Sequence, residues 1–202
     1  CDISSDMLTL CQEKAARESL TPQLYAQAMH ELNLPRSYKT IFACGSFGLG
    51  GERQHDRDAL HRLYQHLEPG GVLVFDNHLA YKNAKAWQYW VAEKRQQLPK
   101  AWPVSGEKKR AADGTEYEMR LRLVDIDPLE QLMTLQIRIE AWREGQLLAE
   151  EENTLKERLY FKNELLLMLE QTGFRDVSVH GDYTETEATA EHGILVFIAR
   201  KA

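Results

Sequence analysis

The sequence predicts an α/β fold, a doubly wound and mostly parallel sheet carrying an antiparallel β insertion, and three observations predict it. Thr40, Ile41, Phe42, Ala43 and Cys44 form an apolar run with the length and composition of a buried parallel strand, and it stops at Gly45-Ser46. A helical stripe then leads through Pro69-Gly70-Gly71 into a second apolar run, Val72 to Phe75. From Tyr117 to Tyr160 the spacing of apolar residues changes to two, the period of half-exposed strands.

The helix between the first two strands is read from Ala59, Leu60, Leu63, Tyr64 and Leu67, which share one stripe, while Arg57, Asp58, Arg62 and Gln65 lie off it. Proline cannot continue a helix and glycine tolerates positive φ, so Pro69-Gly70-Gly71 is expected to end the helix and turn the chain back. Strand, helix and strand make a right-handed crossover. Ligands in such sheets bind beyond the carboxyl ends of the strands, which singles out Cys44 to Phe47 and Asp76 to His78. A further parallel strand is expected at Leu24 to Gln27, and an antiparallel pair at Val177 to His180 and Ile194 to Ala199.

Lys82 to Leu98 reads as a helix with Trp87, Trp90, Val91 and Lys94 on or near one face, stopped by Pro99. Pro103 to Gly114 reads as a loop exposing Lys108, Lys109 and Arg110. Beyond it Tyr117, Met119, Leu121 and Leu123 alternate with Glu118, Arg120, Arg122 and Val124, and Met133, Leu135, Ile137, Ile139 and Ala141 do the same with their neighbours. Asp127-Pro128 and Glu144-Gly145 supply turns, and Asn153 to Tyr160 a third strand. Alternation implies one wet face and one covering face, so this sheet is expected to wall a pocket above the parallel strands. Glu150, Glu151 and Glu152 read as a solvated turn or edge.

Composition agrees with one domain over residues 1–202, its core in 1–80 and 161–202 and the helix plus antiparallel insertion in 81–160. At 202 residues and 43% hydrophobic content, the chain buries a core without disulfides or metal. Cys1, Cys11 and Cys44 have no metal-ligand spacing, which fits a reducing cytoplasm and predicts no metal site. No run reaches membrane-spanning length. A net charge of −6 argues against a nucleic-acid partner and for a small-molecule or protein substrate, a small molecule first; oligomeric state is not legible.

The order of these segments resembles the class I S-adenosylmethionine-dependent methyltransferases. TIFACGSFGL before a helix, LEPGGVLVFD after it, CDISSDMLTLCQEK at the start, AQAMHELNLP, YFKNELLLMLEQTGFRDVSV and GILVFIARK are each similar to a segment of that family, in family order. The resemblance implies a Rossmann-like methyltransferase sheet with the antiparallel insertion as a substrate lid. It implies S-adenosylmethionine as cofactor, with Asp2 accepting from the ribose hydroxyls, Ile3 and Met29 flanking the adenine, and backbone at Cys44, Gly45 and Ser46 receiving the amino-acid end. Ala28 stands where many members carry an acid for the adenine amino group, so backbone would serve there, and Lys39 replaces a frequent acid. The family's first strand and Gly-rich loop would precede Cys1. Loss of a central strand leaves buried backbone unpaired, so the sequence is expected to be a fragment, binding the cofactor well only when extended upstream by roughly 40 to 50 residues.

The implied reaction is an in-line displacement at a sulfonium methyl by N, O or C of the substrate, where positioning and exclusion of water carry most of the rate. His78 is a candidate base or donor on the substrate side, and Phe47, Tyr160 and Trp87 are candidate pocket walls. No catalytic residue is assigned from the sequence. Two other classes are open: a catalytically silent methyltransferase-like binding domain, and a nucleotide-dependent oxidoreductase, which the missing Gly-rich fingerprint disfavours.

Overall fold

The computed structural model describes residues 1–202, apart from the side chain of Ala80. In chain order the elements are α1 (Ser5–Arg17), β1 (Tyr38–Ala43), α2 (Arg53–Gln65), β2 (Leu67–His78), α3 (Ala84–Trp87), α4 (Ala92–Arg95), β3 (Glu107–Arg110), β4 (Glu116–Asp127), β5 (Leu132–Arg143), β6 (Gln146–Arg158), α5 (Lys162–Thr172), β7 (Phe174–Gly181) and β8 (Ile194–Lys201). They form two compact units: residues 1–47, 52–77 and 162–202, and residues 48–51 and 78–161. Among the described residues no helix is long and apolar enough to cross a membrane.

The first unit holds a mixed four-stranded sheet in the order β1-β2-β8-β7. β1 and β2 run parallel with Ala43 opposite Phe75, and β7 and β8 antiparallel with Val179 opposite Phe197. Helix α2 forms for the reason its sequence indicates, burying Ala59, Leu60 and Leu63 on one stripe. Its core partners are the alternate residues Leu73 and Phe75 of β2, Phe174, Phe197, and Leu165 and Leu169 of α5, none more than 1% exposed. The Phe75 ring is flanked by Phe47 and Phe197, with centroids 5.2 and 5.0 Å away. Burying such aromatic side chains contributes about 1.5–3 kcal/mol each.

Two sequence expectations change in this unit. Pro69-Gly70-Gly71 does not precede the strand; it is a bulge inside β2, where Tyr38 pairs with Leu67 and Thr40 with Val72. Gly70 takes φ +72 to make it, so the helix ends earlier, at Gln65. The strand expected at Leu24 to Gln27 is a single parallel bridge between Asp2 and Ala26. Pairing stops there because Ser4 turns the chain to cap α1, accepting from the Met7 N–H, and Ala28 opens a 3-10 turn over Met29–Glu31.

The second unit is an antiparallel sheet in the order β3-β4-β5-β6. Glu144 and Gly145, at φ +52 and +78, form the two-residue turn between β5 and β6. Asp127 caps the β4–β5 turn by accepting from the N–H groups of Leu129 and Glu130. The segment Gly48–Gly51 adds to the free side of β6 through a Leu49–Glu157 bridge, and the Gly51 carbonyl accepts from the Arg158 guanidinium at 2.7 Å.

Two expectations change here as well, and one point that the sequence leaves open is the choice of covered face. Lys108–Arg110 belongs to β3, paired with Tyr117, Glu118 and Glu116, because the Gly106 N–H is tied to the Glu118 carboxylate at 2.7 Å. The helix expected over Lys82 to Leu98 is broken into α3, a 3-10 turn (Gln88–Trp90) and α4, with Val91 extended at ψ 133. Aromatic and β-branched residues lose side-chain freedom in a helix, and here Tyr81, Trp87, Trp90 and Phe161 pack on one another instead, Trp87 and Trp90 at 4.5 Å. The alternation of β4 does not say which of its faces is covered. Tyr117, Met119 and Leu121 are exposed, while Glu118 and Glu140 are 7% and 5% exposed. The charged face is the covered one because its charges satisfy one another: Arg120 bonds both Glu118 and Glu140, and Trp102 lies between the Arg122 and Arg138 guanidinium groups.

Candidate functional site

The candidate site residues fall into three groups. Asp2, Ile3, Ala28 and Met29 come together through the bridge at Ala26: the Asp2 N–H donates to the Tyr25 carbonyl at 3.2 Å and the Gln27 N–H to the Asp2 carbonyl at 3.1 Å. The Asp2 carboxylate is half-buried, and its Oδ1 accepts from the Ser4 N–H at 2.8 Å. Its Oδ2 accepts no hydrogen bond among the described residues, while Ile3 beside it is 78% exposed. A free carboxylate oxygen next to an open apolar surface suits a ligand that offers a diol and a flat ring.

Cys44, Gly45 and Ser46 form the second group, at the end of β1. Gly45 adopts φ +63, and a Cβ there would meet nothing within 4 Å, so this turn presents backbone to open space. Its N–H is held by Asp76 Oδ1 at 2.5 Å. Parallel pairing of Ala43 with Phe75 places Asp76 beside Cys44, and Asp76 is 3% exposed. Partial burial, and then the Asp76 charge, push the Cys44 thiol above its ordinary range. The other Asp76 oxygen, Oδ2, accepts from the Tyr183 hydroxyl, which is held as a neutral donor with its pKa pushed up to about 12, chiefly by that bond. No hydrogen bond or strand pairing among the described residues links this group to the Asp2–Met29 group.

The remaining candidates are placed as follows. Phe47 is in the core of the first unit against Phe75. His78 is exposed at the end of β2 and belongs to the second unit, as do the buried Tyr160, whose ring lies over Gly48, and Trp87 in the aromatic cluster. Glu157 also lies in this unit, and burial pushes its carboxyl up while the His78 charge acts the other way. Among the described residues no three His, Cys, Asp or Glu side chains group to hold a metal ion.

Sequence reasoning reached Asp76 by its place after the apolar run Val72 to Phe75 and gave it no role; it did not reach Tyr183. Tyr183 lies in the turn Gly181-Asp182-Tyr183-Thr184, where the Thr184 N–H donates to the Gly181 carbonyl and both central residues have φ near +50. Asp is a recognisable turn residue; Tyr at positive φ is not one that any turn rule would select.

Residues 1–71 match a family described as a methyltransferase domain. A protein of Geobacillus sp. (strain WCH70), assigned as a methyltransferase, is 36% identical over 83 residues, 40% of this chain and 33% of that protein. The chain thus matches about a third of the length of this curated relative. The structure is similar to that of an S-adenosylmethionine-dependent methyltransferase from Clostridium acetobutylicum ATCC 824, with TM-score 0.75 and 17% identity over 99% of this chain and 73% of the other. It is also similar to the sugar N-methyltransferase KedS8 from Streptoalloteichus sp. ATCC 53650, with TM-score 0.63 and 16% identity over 94% of this chain and 67% of the other. At these identities the structural likeness shows the fold: a Rossmann-like sheet with an antiparallel sheet beside it in the chain. With the sequence match over residues 1–71, the chain carries part of a methyltransferase domain within the fold shared by S-adenosylmethionine-dependent methyltransferases.

Proposed function

We propose that this chain is the cofactor-holding and substrate-facing part of a cytoplasmic methyltransferase that uses S-adenosylmethionine to methylate a small molecule. The observation that carries the reading is the Asp2 carboxylate, whose Oδ2 is free among the described residues, next to exposed Ile3, its backbone bridged at Ala26 to the segment leading into Ala28 and Met29. Asp2 would bind the ribose diol, Ile3 and Met29 would flank the adenine, and backbone of Ala28 would reach its edge. Cys44–Ser46 would receive the charged amino-acid end with backbone groups. When bound, S-adenosylmethionine supplies a methyl group on a positively charged sulfur.

The second unit is proposed as the substrate side. A sugar amine is the first acceptor to test, because a structural neighbour is a sugar N-methyltransferase. An amine arriving protonated needs a base, and His78 with Glu157, whose carboxyl is made more basic by burial, is the pair proposed to take the proton. The net charge of −6 supports a small-molecule substrate over nucleic acid, and three free thiols support a reducing compartment.

The test is calorimetric titration of the full-length protein with S-adenosylmethionine and, separately, with NAD. The unaltered protein should bind the former, and Asp2→Ala should weaken binding roughly 10- to 100-fold, the worth of hydrogen bonds to a charged acceptor. Unchanged affinity in Asp2→Ala, or binding of NAD in its place, would overturn the assignment.

A further inference from the structure

Tyr183 sits where a side chain is least expected. It is the second central residue of a turn with φ +57, following Asp182 at φ +47, a geometry that hairpin turns normally fill with Asn-Gly or Asp-Gly. The turn is fixed around it: Asp182 Oδ1 accepts from the N–H groups of Gly193 and Ile194 at 3.0 and 2.8 Å, and the Asp182 N–H donates to the Ile194 carbonyl at 2.9 Å. A β-carbon at positive φ is strained, so this conformation persists because surrounding bonds over-determine it. What the strain achieves is visible at the hydroxyl, which reaches the buried Asp76 carboxylate from 107 residues away in sequence.

Asp76 cannot meet a ligand directly at 3% exposure. It acts through what it holds, and its two oxygens hold two things: the Gly45 N–H and the Tyr183 hydroxyl. A carboxylate with one bond can rotate about its terminal torsion; with both oxygens engaged, its plane is set. We infer that Tyr183 is a positioning residue for the Cys44–Ser46 turn: by fixing the Asp76 carboxylate it orients the Gly45 N–H, and with it the backbone proposed to receive the amino-acid end of the cofactor. This inference rests on the cofactor reading above, and its test separates the two.

The full-length protein is prepared unaltered, as Tyr183→Phe and as Tyr183→Gly. The Gly45 amide, bonded to a carboxylate, should show a displaced proton resonance in glycine-labelled ligand-free protein, and Tyr183→Phe should move it. Both variants should bind S-adenosylmethionine about tenfold more weakly, equivalent to about 1.4 kcal/mol. Both variants lose the Asp76 bond but only Tyr183→Gly relieves the positive-φ strain, so their melting temperatures should differ while their affinities fall alike, which a merely structural tyrosine would not produce. An unmoved Gly45 resonance, or affinity unchanged in Tyr183→Phe, overturns the inference alone. An unaltered protein that does not bind S-adenosylmethionine overturns the cofactor reading and this inference with it, even where the Gly45 resonance moves.

Discussion

Asp76 shows how one buried charge can organise a site without touching its ligand. Moving a carboxylate out of water costs several kcal/mol unless donors replace the lost solvent, and here the Gly45 N–H and the Tyr183 hydroxyl do so. The bond has a consequence for Tyr183, whose hydroxyl ionises at about 12 and not at its ordinary 10, first because of the Asp76 hydrogen bond, then burial and the Asp76 charge. A group whose folded pKa is raised lends stability that is complete below the unfolded value and disappears as pH passes the folded one. The Tyr183–Asp76 contribution should therefore be full below pH 10 and fade toward pH 12. Ultraviolet titration of tyrosinate should show one tyrosine in the unaltered protein ionising near the upper value, and Asp76→Asn should return it toward 10. Titration curves that coincide would show that this hydrogen bond does not persist in solution.

The β4–β5 ladder carries an arrangement that strand rules alone would disfavour. Glu118 stands directly opposite Glu140, and Arg120 opposite Arg138, although like charges across a ladder repel. The partners lie elsewhere: Arg120 pairs with Glu118 two residues back on its own strand and diagonally with Glu140, Arg138 pairs with Glu152 directly opposite on β6 and diagonally with Glu150, and the Trp142 indole N–H donates to Glu140. The Arg120 hydrogen bond is the main reason the Glu118 carboxyl is held down to about 2, with the Gly106 N–H second. A lowered carboxyl pKa lends stability that is present above the ordinary value of 4.5 and lost as pH falls through the folded value. The melting temperature of the unaltered protein should thus decline between pH 4.5 and 2 as this carboxylate protonates. Arg120→Met should lower it at neutral pH too, where two covered carboxylates lose their shared cation, and should flatten the acid arm assigned to Glu118. Parallel pH profiles for the two proteins would contradict the pairing of Arg120 with Glu118 and Glu140. These strands were legible in the sequence because period-two alternation is a backbone property. Which face is covered was not legible, because a paired charge and a lone charge look alike in sequence; only the register of β5 and β6 reveals that the arginines have partners. The same limit explains the segment near Trp90, where aromatic packing outweighed a helical pattern, and the bulge at Gly70, where a turn signal was correct in chemistry and wrong in place.

At the scale of the whole chain, the parts of the candidate site that sequence could reach are those contributed by consecutive residues at strand ends: Asp2–Ile3, Ala28–Met29 and Cys44–Ser46. The Tyr183 contact was out of reach because it joins a loop after β7 to the end of β2 across 107 residues, and no local pattern encodes such a pairing. Since all of these residues lie in the first compact unit, cofactor binding should be felt there first. A ligand that binds only the folded site adds RT ln(1 + [L]/Kd), about 2.7 kcal/mol at a hundredfold excess over Kd, to every opening that destroys the site and nothing to openings that leave it intact. Hydrogen exchange of the full-length protein with S-adenosylmethionine at that excess should therefore slow by up to about 100-fold at residues 2–3, 26–29, 44–46 and 183–184. Amides of β3 and β4, whose opening breaks none of those groups, should exchange at their ligand-free rates. Slowing of equal size across both units would mean that they open as one, and slowing that spares residues 44–46 would remove that turn, together with the Asp76 and Tyr183 side chains behind it, from the cofactor site.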